Sequence, residues 1–150
     1  MTYAILNHTP LHRPGYSSNG ATAVERHSSY FLINGESLLL RLIAIAGGHN
    51  DFMGCFVRGF GAVTDSILSE ISPSSSDFHP RRVGLYICPE CGDIGCGRFS
   101  VLIERTDDAI VWKEFAYENG YEALRLIEGL GPFRFEADKY KQAVYRASNP

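Results

Sequence analysis

Residues 99–117 have the sequence FSVLIERTDDAIVWKEFAY, and this stretch decides the fold. In its first part every second side chain is apolar, which is the repeat of a strand with one buried face. Asp107 and Asp108 then form a polar break that is typical of a tight turn, and apolar residues resume after it. The stretch therefore predicts an antiparallel hairpin with strands over 99–106 and 110–117.

Helical periodicity occurs on both sides of this hairpin. Apolar residues recur every three or four positions over 36–46, 61–71 and 137–147, which predicts three amphipathic helices. A shorter helix is predicted around 121–129, where Gly129 ends the pattern.

Two segments rich in proline, glycine and serine lie between or before these elements. Residues 1–28 predict coil or a short strand pair, and residues 72–80 predict an internal linker. Residues 82–87 predict a further strand. A chain of 150 residues is typical of one domain. The sequence therefore predicts a single α+β domain in which N-terminal helices precede an antiparallel sheet and a C-terminal helix.

Charge is unevenly distributed along the chain. The net charge of −3 excludes the strongly basic footprint of a protein that binds nucleic acid directly. Residues 88–128 contain nine acidic and four basic side chains, a balance of −5, so the remainder carries +2. This segment is interpreted either as a solvated sheet face or as an acidic patch that attracts a basic partner.

The sequence shows no pattern that is typical of a membrane span or a signal peptide. No apolar run approaches the length of a membrane span, and residues 1–15 lack the basic region and apolar core of a signal peptide. We therefore expect no membrane association and a cytoplasmic location.

Three cysteines, Cys88, Cys91 and Cys96, follow the spacing C-x2-C-x4-C among glycines. Thiolates are preferred zinc ligands, and a C-x2-C turn directs two sulfurs to one metal, so the pattern indicates a structural zinc site. Such a site needs a fourth ligand, which no motif supplies. Candidates for that ligand are Cys55, His79 and His49. The alternative is a tight glycine-rich turn whose buried thiols pack as small apolar groups.

A thiol-dependent oxidoreductase is a second interpretation of the same cysteines. Reactive C-x-x-C dithiols lie at a helix N-terminus, whose dipole lowers the thiol pKa. The glycines at 92, 95 and 97 and the strand after them oppose a helix here. Phosphate-binding and nucleophile-elbow motifs are also absent, and the five histidines are dispersed. The sequence therefore predicts a protein that is not an enzyme.

Acidic and aromatic side chains coincide around the hairpin. Aromatic residues rimmed by carboxylates are typical of protein-recognition surfaces, although part of this set must also pack in the core. The candidate partner-binding residues are Glu90, Asp93, Glu104, Asp107, Asp108, Trp112, Glu114, Tyr117 and Glu118.

Two motifs resemble a family of small uncharacterised bacterial proteins. Residues 88–97 read CPECGDIGCG and residues 111–118 read VWKEFAYE, similar to the family's CPECGD-x-GCG turn and VVW-x-x-F-x-YE strand. Residues 132–140 resemble the entry to its C-terminal helix. The resemblance covers about the last 70 residues well and the first 80 only loosely, and some members carry an oxidoreductase label. The alternative function is a zinc- or thiol-dependent small enzyme or oxidoreductase centred on Cys88, Cys91 and Cys96.

The size, the acidic charge and the lack of catalytic motifs also resemble the immunity proteins that bacteria encode beside secreted toxins. This resemblance implies a non-enzymatic inhibitor of a cognate toxin. A nuclease-type toxin would present a basic active-site cleft, and an acidic surface could occupy that cleft by mimicking phosphate charge. We therefore expect a protein partner and, as the only cofactor, a structural zinc ion at the three cysteines.

Overall fold

The computed structural model describes residues 2–18, 21–23, 25–47, 52–87 and 97–149. Within these ranges the chain forms an α+β fold of the size of one domain, with antiparallel sheets. The elements are β1 (Leu6–Arg13), β2 (Tyr16–Ser18), β3 (Ala21–Ala23), β4 (Arg26–Ile33), β5 (Glu36–Ser37), α1 (Leu38–Ala46), β6 (Met53–Gly54), α2 (Gly61–Ile71), β7 (Arg81–Ile87), β8 (Arg98–Arg105), β9 (Ala109–Glu118), β10 (Arg125–Leu126), β11 (Phe133–Glu136) and α3 (Ala137–Ala147).

The predicted hairpin is confirmed as the centre of a six-stranded sheet. β8 and β9 pair antiparallel, with Ile103 opposite Trp112. β7 lies on the other side of β8, and the short β6 pairs with β7. The second edge of β9 pairs with β11 near its start and with β10 near its end. Each end of β9 is therefore paired with a neighbouring strand along both of its edges.

The N-terminal region contradicts its prediction. β1 pairs with β4 over all eight residues, from Leu6 opposite Ile33 to Arg13 opposite Arg26, and β5 extends this sheet. Only β2 and β3 form the short strand pair that was expected. Five strands precede the first helix, so the prediction of helices before strands is wrong. The signal was weak because β1 is an edge strand whose only fully buried residues, Leu6 and Leu11, are five positions apart.

The three long helices confirm their predictions. α2 and α3 match 61–71 and 137–147, and α1 begins at residue 38, where the Ser37 side chain accepts a hydrogen bond from the Leu40 amide at 3.3 Å. Residues 72–80 connect α2 to β7 without a helix or strand. The longest helices in the described ranges have 11 residues, about half of what a membrane crossing requires.

The helix predicted around 121–129 is wrong. Instead, Arg125 and Leu126 form β10 opposite Tyr117 and Ala116, and the Ile127 amide donates to the Phe115 carbonyl at 2.7 Å. The open edge of β9 supplies these backbone partners, and they outweigh the weak helical spacing of this segment.

Trp112 joins the central sheet to the helices. Its indole Nε1 donates to the Tyr140 hydroxyl of α3 at 3.0 Å, and that hydroxyl donates to the Ile71 carbonyl at the end of α2 at 2.5 Å. The indole also makes edge contacts with Phe31 and Phe135, at centroid distances of 5.5 and 5.3 Å. The hairpin, both longer helices and the N-terminal sheet therefore share one core around this ring.

Candidate functional site

β9 places the predicted partner-binding residues at two separate locations. Asp107 and Asp108 precede the strand, whereas Tyr117 and Glu118 end it. Ten residues at a rise of about 3.3 Å each separate the two ends by roughly 30 Å. The described members of the predicted acidic surface therefore extend along the length of the β8–β9 hairpin.

At the first end, Asp108 has a structural role. Its carboxylate accepts a hydrogen bond from the Tyr3 hydroxyl at 3.1 Å and another from the Arg134 guanidinium at 3.2 Å. The Arg134 guanidinium also lies 5.0 Å from the centre of the Tyr3 ring. The hydrogen bond to Asp108 raises the pKa of Tyr3. These contacts compensate the charge of Asp108, while Asp107 beside it is exposed.

Cross-strand ion pairs compensate two further predicted acids. Lys113 Nζ lies 2.8 Å from a Glu104 carboxylate oxygen, and Arg98 Nη2 lies 3.2 Å from a Glu118 oxygen. The hydrogen bond with Glu104 raises the pKa of Lys113. The register of β8 and β9 places Arg98 opposite Glu118, so the pairing depends on the sheet rather than on local sequence. The part of the β8–β9 surface that carries these two ion pairs therefore has alternating positive and negative charges instead of a uniform negative potential.

Trp112 is not on the surface. Its side chain is completely buried within the core described above. The structure therefore corrects its assignment to partner binding, because no part of the indole is accessible in this fold.

The segment 117–126, which we call the β9-end segment, exposes several large side chains. Tyr121 is 85% exposed, and Leu124 and Leu126 are also exposed. A small cavity of about 90 Å³ lies beside them. Its lining consists of Tyr117, Glu118, Asn119, Glu122, Ala123 and Arg125. Apolar and acidic groups therefore meet on one continuous stretch of chain.

Backbone and ring contacts hold this segment in place. The Asn119 side-chain oxygen accepts hydrogen bonds from the amides of Tyr121 and Glu122 at 3.0 and 3.1 Å. Tyr117 makes an edge contact with Phe99 at 5.7 Å, and the Arg125 guanidinium lies 5.4 Å from the centre of the Tyr117 ring. These contacts define the conformation of the β9-end segment.

Sequence reasoning identified Glu114, Tyr117 and Glu118 but missed Tyr121. The miss follows from the incorrect helix prediction for this segment. The pair Asn119-Gly120, with Gly120 at φ +79°, is a turn signal that could have marked the exposed loop.

Glu114 lies next to the β9-end segment in a strained conformation. It is exposed, and its φ of +51° falls in the left-handed region, where a side chain other than glycine or asparagine costs about 1–2 kcal/mol. The register between β8 and β9 shifts at this position, which indicates a bulge. Bulges redirect side chains, and this one presents the carboxylate to solvent.

The predicted zinc site falls mostly outside the described residues. Cys88, Cys91 and Cys96, like the candidate binding residues Glu90 and Asp93, lie there, as does the possible fourth ligand His49.

The other two candidates for a fourth ligand are described. Cys55 is a buried core residue, and this burial raises the pKa of its thiol to about 12. His79 precedes β7, whereas Ile87, directly before Cys88, ends it. The length of β7, roughly 20 Å, therefore separates His79 from Ile87.

The described histidines are not all isolated. His12, Glu25 and His27 come together at the β1–β4 sheet, with one ligand atom of each within 4.8 Å of the others. The hydrogen bond with His12 lowers the pKa of Glu25. Sequence reasoning missed this cluster because it predicted coil for residues 1–28.

His8 has a different environment on the same strand. Burial, together with the positive charge of Arg146 on α3, lowers the pKa of His8. Its Nδ1 is buried and has no hydrogen-bond partner among the described residues. The neutral imidazole is therefore the form that suits the fold.

This environment predicts a loss of stability in acid. Below about pH 6.5 the unfolded chain protonates His8, whereas the folded chain resists protonation, so acidification favours unfolding. The neutral His8 makes its full contribution to the free energy of unfolding above about pH 6.5. That contribution is lost as the pH falls to the lowered pKa that His8 has in the folded chain. Urea unfolding at pH 7.5 and 5.5 is expected to show a smaller pH effect for His8→Gln than for the natural chain. Equal pH effects in the two proteins would contradict this assignment.

Comparisons of the chain with family models, with curated proteins and with solved structures find no match. Function is therefore inferred from the exposure, charge and contacts of the described residues. Two arrangements stand out among them: the β9-end segment with Glu114, and the His12–Glu25–His27 cluster.

Proposed function

We propose that this protein is a non-enzymatic immunity protein that binds and blocks a cognate secreted toxin through the β9-end segment. The observation that carries the proposal is the exposure of Tyr121, Leu124 and Leu126 beside glutamates on the same stretch. Exposed apolar groups with a polar rim mark protein-binding surfaces, and tyrosine offers much contact area for little entropy loss. The resemblance of the sequence to immunity proteins supplies the class of partner.

The charge of this surface favours a basic partner. Residues 114–128 contain four glutamates and one arginine, a local balance of −3. Arg98 neutralises part of this negative charge because it forms an ion pair with Glu118. The side chains of Glu114 and Glu122 are exposed. These carboxylates would complement the basic cleft of a nuclease-type toxin and accelerate association at low salt.

Order in the free protein favours tight binding. The Asn119 side chain, the pairing of β10 with β9 and the packing of Tyr117 fix the segment in one conformation. A preorganised surface loses less conformational entropy on association than a mobile loop.

The test is complex formation with the product of the neighbouring gene. A 1:1 complex is expected on co-purification, and Tyr121→Ala is expected to weaken its affinity at least about tenfold, or about 1.4 kcal/mol. Calorimetric titration of the purified pair measures this change.

Tyr145→Ala is the matched control, because Tyr145 is an exposed tyrosine of α3 outside the β9-end segment. Its affinity for the partner should stay at the value of the natural chain. Failure to form a complex, or equal losses in the two variants, would reject the proposal. Cells that produce the partner should also be protected by the natural chain.

A further inference from the structure

We propose that His12, Glu25 and His27 form a binding site for a divalent transition-metal ion, at the end of the β1–β4 sheet where Arg13 pairs with Arg26. The site contains no residue of the β9-end segment and none of the three cysteines. It would bind a metal that prefers imidazole ligands, and Zn²⁺ is the reference ion.

Strand pairing brings the three ligands together. His12 of β1 lies directly opposite His27 of β4, which places the two Cβ atoms about 4.5–5.5 Å apart. Glu25 directly precedes β4 and stands two residues before His27. In an extended chain this spacing puts both side chains on the same face. The backbone therefore directs all three side chains to one point.

The distances between the ligand atoms suit a metal ion. His12 Nε2 lies 3.1 Å from one Glu25 carboxylate oxygen, and His27 Nε2 lies 3.6 Å from the other. Zinc bonds of about 2.0–2.1 Å place the ligand atoms of a tetrahedral site roughly 3.3 Å apart. The two imidazole rings are stacked at 4.5 Å with an interplanar angle of 14°. The lone pairs of two nearly parallel rings lie in separate planes, so the rings have to rotate out of this stack to place both nitrogens on one ion.

The donor set selects the type of metal. Two imidazoles and one carboxylate suit Zn²⁺, Co²⁺, Ni²⁺ or Cu²⁺, whereas Mg²⁺ and Ca²⁺ require oxygen ligands. The side chains of His12, Glu25 and His27 are 49%, 60% and 35% exposed, so the remaining coordination positions face solvent. Water or a donor group from another molecule can complete the coordination.

A bound metal would crosslink two strands, because the ion would join β1 to β4. A backbone hydrogen bond already joins β4 to the loop that contains Arg58, since the His27 carbonyl accepts from the Arg58 amide at 2.8 Å. Because the metal would bind the folded form and not the unfolded chain, it would also raise the unfolding temperature. A bound metal would therefore stabilise the N-terminal sheet at the end where Arg13 pairs with Arg26.

The test uses the full chain and Co²⁺ as a paramagnetic probe. With excess Co²⁺, the amide resonances of residues 11–13 and 26–28 are expected to broaden in a ¹H–¹⁵N spectrum. Substitutions His12→Gln and Glu25→Gln are each expected to weaken Co²⁺ and Zn²⁺ binding at this location by at least about tenfold. Both residues are exposed, so the variants should fold, and the rest of the spectrum reports this directly.

His79→Gln is the matched control because His79 is exposed and lies outside the cluster. It should leave the broadening at residues 11–13 and 26–28 unchanged. Binding at the three cysteines alone would not be weakened by His12→Gln. No broadening near His12 at excess Co²⁺, or broadening near His79 of equal strength, would overturn the proposal.

Discussion

Replacing Trp112 by alanine is expected to lower the free energy of unfolding by about 3–5 kcal/mol. The indole is completely buried and contacts Phe31, Phe135 and Tyr140, so its removal leaves a large cavity. The variant also loses the hydrogen bond from Nε1 to the Tyr140 hydroxyl. Denaturant unfolding followed by circular dichroism measures the change.

Trp112→Phe is the companion variant, since it keeps an aromatic ring but removes the indole N–H. Its loss of stability should be clearly smaller than that of Trp112→Ala. Tyr121→Ala should leave the free energy of unfolding within about 0.5 kcal/mol of the natural value, because Tyr121 is exposed. A Trp112→Ala variant as stable as Tyr121→Ala would contradict the core placement and restore Trp112 as a surface residue.

Replacing Gly54 by alanine is expected to lower the free energy of unfolding by about 2–3 kcal/mol. The added Cβ would overlap the carbonyl oxygen of Ser29, and the Ser29 carbonyl carbon would lie only 3.1 Å from it. Because that neighbour is backbone of β4, relief requires the two sheets to separate. The movement would also stretch the hydrogen bond from the Gly54 amide to the Ser28 hydroxyl, which is 3.0 Å long.

Gly61→Ala is the matched glycine control. Gly61 begins α2, and a Cβ there meets nothing within 4 Å. Alanine favours helix, so this variant should be as stable as the natural chain or more stable by up to about 1 kcal/mol. Thermal and denaturant unfolding of the two variants side by side separates the contact from the general effect of adding a methyl group. A Gly54→Ala variant that matches Gly61→Ala would show that β4 and β6 do not approach closely.

Part of the candidate site was predictable from sequence. The hairpin prediction correctly placed Glu114 and Tyr117 on its second strand, and β9 extends one residue beyond the predicted end, to Glu118. It could not show that Trp112 faces inward, because both faces of the strand carry large apolar residues. Nor could it show that Arg98 opposes Glu118, since that pair depends on the register across 20 residues of sequence.

The sequence by itself determined the elements that have a strong local period: α1, α2, α3 and the β8–β9 hairpin. Each of these obtains its hydrogen bonds or its pairing partner from residues nearby in the chain, so the pattern of apolar side chains suffices. Only the tertiary structure decided that residues 6–13 are a strand and that residues 125–126 are not helical. Both segments take their backbone partners from distant strands, β4 and β9.

The same distinction applies to function. The acidic balance of residues 88–128 is visible in the sequence, but its division into ion pairs, a turn and the β9-end segment depends on sheet pairing. The meeting of His12 with Glu25 and His27 likewise exists only because β1 and β4 pair in one register. Charge and composition are properties of the chain, whereas which charges are compensated and which side chains converge is set by long-range contacts.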